Sequence, residues 1–339
     1  IVNITILIMN KKGYFSLFDL EFMKRFLIIV CLPLFSFGQS HFIEVSHFFE
    51  SKKYAKAEQL AVQLVKENPN NLEAIELLGD AYGFQKNWDK AIENYKKLVD
   101  SKPEKANYHY KYGGALGMKA LSVPKLKALG IIGDVKEAFL KAAELNPKHI
   151  EARWALVELY MQLPGIIGGS KKKSLKFAEE LQTLSEVDGY LAKGYVYEYD
   201  NEPELAESYF KKAIEVGGSL NCFQKLTNLY ENTKQPEKAI ANIEQAHKKH
   251  QRNALHYQIG KVSADYNLQL EKGEKCLYIF IENHTTKDGV PIEWAYYRMA
   301  QIQKHKKNKS EALNWIDKAI NTKSDFKQAI SEKEIILSL

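Results

Sequence analysis

Apolar residues fall at helical spacing along nearly the whole chain from residue 41 onward. In "LEAIELLGDAYGFQKNWDKAIENYKKLVDSKP", residues 72–103, Leu78 and Tyr82 share one helical face, and Ala91 and Tyr95 share another. Residues four apart lie one above the other on a helix, so the segment reads as two amphipathic helices joined by a polar turn. Pro103 then ends the second helix, because proline cannot continue the hydrogen-bond ladder.

The arrangement returns along the chain. Tyr54, Ala57, Leu60, Leu64 and Pro69 mark an earlier second helix, and Pro69 to Pro103 is one step of 34 residues. Gly113, Phe139, Ala142 and Pro147 mark a third unit; Leu156, Tyr160, Ala178 and Leu181 mark a fourth. Gly194, Tyr197, Ala206, Phe210 and Ala213 mark a fifth, and Leu226, Tyr230, Ala239, Ile243 and Ala246 a sixth. Ile259, Gly260, Leu277 and Phe280 give a weaker seventh, and Met299, Ala300, Ala312, Ile316 and Ala319 an eighth.

These residues resemble the tetratricopeptide repeat, a 34-residue helix-turn-helix unit. The resemblance implies an all-α fold, an α-solenoid of about eight such repeats. They are expected near 41–70, 71–104, 105–148, 149–186, 187–219, 220–252, 253–287 and 292–324, with a capping helix at 325–338. Each repeat would bury its apolar face against its neighbours, giving one continuous array over 39–339.

Composition fits a folded helical protein: 45% hydrophobic, 27% charged, nine prolines. The net charge of +6 is too small and too evenly spread to point to nucleic acid. The N-terminus changes the picture. Numbering begins with Ile1, and Met23 is the better start, so residues 1–22 read as an over-long or non-native extension. From Met23 the chain reads "MKRFLIIVCLPLFSFGQS": a basic pair, a short apolar run with Pro33, then small residues at Ser36 and Gly38. This is the pattern of a secretory signal peptide at 23–38, cleaved before Gln39, which leaves no transmembrane span. Alternatives are a lipidated Cys31 and an uncleaved anchor including "IVNITILIM". The expected location is periplasmic or secreted, in a bacterial envelope. Cys222 and Cys276, far apart in sequence, are expected as buried free thiols. His247 and His250 lack further ligands at metal spacing and read as solvent-exposed.

Two stretches stand out from the repeat. "ALSVPKLKALGIIGD" and "LPGIIGGSKKK" both contain Gly-Ile-Ile-Gly, at 130–133 and again at 165–168. Both read as enlarged turns between the two helices of a repeat, at 121–134 and 163–170. Asp134, with Glu137, and Ser170 are the N-cap candidates after them. The second is no nucleotide loop: Ser170 stands where the last glycine belongs, and a helix precedes it. Gly165, Gly168, Gly169, Ser170, Lys171, Lys172 and Lys173 remain loop candidates for an anion or a partner. The expectation is that the isoleucines pack the two turns together and leave the lysines free.

Function in the resembled family lies on the concave face lined by first helices. Repeat register places Glu76, Asp80, Phe84, Tyr110, Trp154, Glu158, Tyr195, Glu198, Tyr199, Tyr257, Trp294 and Tyr297 there. Aromatics supply contact area and carboxylates select basic partners. Several are equally readable as inter-repeat core. The Lys/Asn clamp of the family's chaperone-binding members is missing: Glu76, Asp80, Trp154 and Glu158 take the corresponding places. No nucleophile elbow, metal motif or dinucleotide fingerprint appears, so no catalytic residue, metal or cofactor is expected. The reading is a non-catalytic scaffold for a protein or peptide partner. The alternative is a small-ligand or anion binder, or an enzyme, built on the insertions of repeats three and four.

Overall fold

The computed structural model describes residues 41–339, so the signal-peptide, start-site and Cys31 expectations lie outside the described residues. Residues 41–50 form helix α1. Then come α2 (Tyr54–Glu67), α3 (Leu72–Phe84), α4 (Trp88–Ser101), α5 (Ala106–Ser122), α6 (Lys125–Leu145), α7 (Ile150–Gln162) and α8 (Lys171–Leu184). The series continues with α9 (Glu186–Tyr199), α10 (Pro203–Val216), α11 (Leu220–Asn232), α12 (Pro236–His250), α13 (Asn253–Tyr266) and α14 (Leu270–Glu282). It ends with α15 (Ile292–His305), α16 (Lys309–Thr322) and α17 (Lys327–Leu337). The fold is all-α, of the α-solenoid class: eight helix pairs and a final single helix among the described residues.

Small residues set the pairing. A Cβ added at Gly79 would stand 2.7 Å from the Tyr95 ring; at Gly194, 2.4 Å from Phe210; at Gly260, 2.3 Å from Leu277. Each glycine sits on a first helix and each large partner on the second helix of the same pair. Only a missing side chain lets the helices approach that closely.

The helices gather into two compact units, one reaching Lys102 and one from Pro103 to Leu339. The first has a core of Val45, Ala57, Leu64, Ala74 and Ala81, covered by Phe42, Phe48, Phe49 and Leu60. In the second, successive helices pack in chain order from α5 to α17. Its first helices also meet one another: α5 meets α7, α7 meets α9, α9 meets α11, and α13 meets α15. Phe210, Ile243, Leu277, Phe280 and Met299 are fully enclosed. Both Cys222 and Cys276 are buried free thiols.

One expected turn is not a turn. Residues 121–134 are helical except at Val123 and Pro124, and Gly130 to Asp134 lie inside the 21-residue α6. Pro124 is the N-cap, so Asp134 caps nothing. The reason is local chemistry. Proline with fixed φ starts a helix well, and the Lys, Leu and Ala that follow are strong helix formers which outweigh two glycines. The stretch 163–170 does leave the α-helix. Gly165–Ile167 form one 3-10 turn, Gly168 takes φ +103°, and Ser170 caps α8 by accepting the Lys173 amide.

Candidate functional site

In the first unit, Asp80 accepts a hydrogen bond from the Tyr95 hydroxyl at 2.6 Å. Burial first, and then Asp80, raises the Tyr95 phenol well above its usual range. Phe84 stacks on Tyr54 at 4.9 Å and meets Phe49 at 5.3 Å. Glu76 is half-buried on the same helix. Asp80 and Phe84 therefore already brace neighbouring helices.

The second unit sorts its candidates into two sets. Tyr257 is 8% exposed and packs on Phe280 at 5.4 Å, so it belongs to the core and not to a surface. Trp294 and Tyr297 lie against Phe326, at 4.6 and 5.6 Å, and serve to seat the final helix. Repeat register alone could not separate these from groove residues, because both kinds project from first helices. The other set runs across α5, α7 and α9. Tyr110, Trp154, Glu158, Tyr195 and Glu198 are half-buried, and Tyr199 is exposed.

The electrostatics tie this second set together. Burial raises the Tyr110 phenol to about 12, helped by Glu151 and Glu158. Burial also raises Tyr195, against the Gln162 hydrogen bond, with Glu158 adding to the rise. The Glu158 carboxyl is itself held above the usual range by burial, with Lys225 of α11 opposing. Glu158 thus acts electrostatically on phenols of both neighbouring first helices, and Lys225 of α11 acts on it. Its environment disfavours the bare anion, and a cation brought to it would be favoured.

Side-chain bonds repeat at the spacing of the helix pairs. The Trp154 indole donates to Asp188 at 2.8 Å, the Asn232 amide to Glu198 at 3.2 Å, and the Gln258 amide to Gln224 at 3.0 Å. Each pair is 34 residues apart. These bonds lock adjacent first helices and leave the aromatic faces beside them.

The loop candidates divide likewise. Lys171 pairs with both Asp200 and Glu202 and lies over the Tyr197 ring, so it is not a free cation. Its ammonium is held above the usual range by the hydrogen bonds to those two carboxylates. Lys173 lies 5.5 Å over the Tyr160 ring; Lys172 is exposed. The Ser170 amide donates to the Tyr160 carbonyl at 2.8 Å. Gly169 has no room for a side chain, since a Cβ would sit 1.7 Å from the Leu163 carbonyl oxygen. Gly165 is unconfined, and Ile166 is 97% exposed. Of the isoleucines expected to pack the two Gly-Ile-Ile-Gly stretches together, Ile166 points into solvent, while Ile131, Ile132 and Ile167 are half-buried. Neutralised Lys171 also weakens the anion alternative.

Three features were missed in the sequence. Leu220, Phe223, Gln224 and Gln258 help line a pocket of about 260 Å³ between α11 and α13, rimmed by Arg252, Lys287 and Asp288. Nothing in a one-dimensional pattern marks the gap between two helices. His247 packs on His256 with ring centroids 4.3 Å apart, and each has a buried Nδ1 without a hydrogen-bond partner. His250 shares a 2.8 Å hydrogen bond with the Gly218 carbonyl. The expectation that His247 and His250 were merely solvent-exposed is corrected. A lysine-rich helix end looks polar in sequence, while His256 of the next helix meets His247, and Gly218 and Phe223 meet His250. Among the described residues no group of three or more His, Cys, Asp or Glu is arranged to hold a metal ion.

The comparisons agree with the repeat geometry. The family described as tetratricopeptide repeat matches residues 48–113, 187–216 and 295–331. Those segments match the tetratricopeptide repeat, and proteins built of such repeats generally mediate protein–protein interaction. A human protein, Protein O-mannosyl-transferase TMTC3, is 22% identical over 298 residues, covering 82% of this chain and 31% of that protein. The chain thus spans about a third of the length of this curated relative. Among solved structures, a tetratricopeptide repeat protein from Parabacteroides merdae is similar at 13% identity and TM-score 0.48, over 88% of this chain and 98% of that one. A thermophilic TPR protein of Thermus thermophilus is similar at 17% identity and TM-score 0.48, over 57% of this chain and 98% of that one.

Proposed function

We propose that the chain is a non-catalytic scaffold that binds a protein partner through an extended, basic segment laid across α5, α7 and α9. One observation carries this reading: Glu158 held half-buried between Tyr110 and Tyr195, with Glu198 and exposed Tyr199 one turn further on. A lysine or arginine arriving there gains a desolvated carboxylate and aromatic faces together. We infer further that the protein works outside the cytoplasm, in a bacterial envelope. The basic pair, apolar run and small residues at 23–38 support that inference.

Capture from envelope extract of the source organism tests the first part. A specific protein is expected with the native chain and is expected to be lost, at unchanged melting temperature, with Glu158→Gln plus Tyr195→Ala. Equal capture by the variant would refute the assignment to this face. N-terminal sequencing of the mature product tests export: a start near Gln39 is expected, and an intact N-terminus would refute it.

A further inference from the structure

The α5–α6 hairpin is unlike the other pairs. Helix α5 has 17 residues and α6 has 21, against 13 to 15 for α7 through α16. At about 1.5 Å per residue, α6 is roughly 10 Å longer than a 14-residue helix such as α8. No residue from 121 to 134 is buried. The hairpin tip therefore stands clear of the packed helices.

That tip is apolar where it should be polar. Leu121 is 74% exposed and Leu126 is 85% exposed, with Met118 and Leu129 also exposed. Met118 and Leu121 lie three apart on α5, and Leu126 and Leu129 three apart on α6, so each helix turns one apolar edge outward. In the turn after α7, Ile166 is exposed as well. A Cβ on Gly168 in that turn would stand 3.9 Å from the Lys136 ammonium of α6, which places the two side by side. Clusters of exposed large apolar side chains on a folded protein mark a contact surface.

Charge identifies the contact. From Lys105 to Gly133 the chain has five lysines and no Asp or Glu. Lys125 and Lys127 are exposed and flank Leu126 at the tip itself. A projecting tip cannot enclose a peptide, but it can enter a soft surface. Leucines that sink into the acyl boundary beside lysines that reach phosphate headgroups are the chemistry of interfacial membrane binding. No described helix is long and apolar enough to cross a membrane, so the insertion is shallow.

We propose that the α5–α6 tip is a membrane-surface anchor that inserts Leu121, Leu126 and neighbouring apolar side chains into an anionic phospholipid bilayer. This orients the α5–α7–α9 face at a fixed height above the lipid.

The test uses the full chain with vesicles of phosphatidylcholine alone or with phosphatidylserine at three in ten. Co-sedimentation is expected with the anionic vesicles at low salt and is expected to fall at least tenfold with Leu121→Asn plus Leu126→Asn. Lys125→Gln plus Lys127→Gln is expected to weaken it by roughly 30-fold, from the usual worth of a lysine near such a surface. Both pairs are exposed, so melting temperatures should hold. A local readout separates the tip from any other lipid-binding part of the chain. Leu126→Trp should show fluorescence quenching by acyl-chain-brominated lipid beyond that of the native chain. Absence of binding to anionic vesicles, binding that ignores the leucine substitutions, or an unquenched Trp introduced by Leu126→Trp would each overturn the proposal. The last would be expected if the tip instead seats in a protein groove.

Discussion

At the residue scale the fold turns on a few contacts between a missing side chain and a large one. Gly194 faces Phe210, which is wholly buried, at a distance no real Cβ tolerates. Gly194→Ala should gain about 1 kcal/mol of helix propensity but lose about 1–3 kcal/mol to overpacking, a net destabilisation. Gly130 also lies in a helix, but a methyl group added there would meet nothing within 4 Å. Gly130→Ala should therefore stabilise by about 0.5–1 kcal/mol. Paired thermal melts of the two variants should move in opposite directions. The repeat glycines were legible in sequence because their role is periodic.

Histidines give the molecule a pH dependence at the same scale. Burial lowers both His149 and His256, the latter also through His247. His149 Nδ1 lies 3.3 Å from the Ala152 amide, which the neutral ring accepts, and 3.1 Å from a Glu151 carboxylate oxygen, which opposes the lowering. The unfolded chain takes up protons near pH ~6.5 while the folded chain resists. Stability is thus fully present above the unfolded value and is lost as pH falls from there through the lower folded values. Glu158, raised in the fold, contributes with the opposite sign. Denaturant midpoints should drop between about pH 7.5 and 5.5, and His256→Gln should flatten the drop. A midpoint that rises on acidification would contradict the assignment.

At the element scale, propensity and capping explain what was and was not legible. Repeats with a glycine or alanine on one helix and a terminal proline on the other could be placed from sequence. The stretch 121–134 was misread because Pro124, Gly130 and Gly133 look like loop residues. In the structure Pro124 opens α6, and the glycines ride within it. The turn 163–170 kept its character because Gly168 needs a positive φ and Gly169 has no side-chain room. Arg153 illustrates a polar element inside the helix stack: it is 6% exposed, donates to Glu180 at 3.0 Å and reaches the His149 carbonyl at 3.1 Å. Arg153→Ala should cost about 2 kcal/mol by stranding that carbonyl and losing the packed stem. Urea unfolding checks it. At the α8 N-terminus, sulfate titration should leave the Ser170 amide unmoved, because Lys171 is already paired; a saturable shift there would revive anion binding.

At the scale of the whole molecule, the candidate site was legible only as a register. Sequence period puts twelve side chains on first helices, but packing decides which remain available. Tyr257 went to the core, while Trp294 and Tyr297 stay half-buried and pack on Phe326. Tyr110, Glu158, Tyr195 and Glu198 stay half-buried, and Tyr199 exposed, on α5, α7 and α9. If that face takes a basic segment, partner affinity should fall steeply as salt rises. Glu158→Gln with Glu198→Gln should reduce that salt dependence as well as the affinity. Calorimetry with the captured partner at two ionic strengths measures both.

The most direct test of the scaffold assignment is a photo-cross-linking scan in cells of the source organism. A benzophenone amino acid would be placed at Tyr199 and Tyr110, and at Lys211 and Lys176 on second helices as controls. One discrete protein adduct is expected from positions 199 and 110 and none from 211 and 176. Adducts confined to the second-helix positions, or no adduct from 199 and 110, would contradict it.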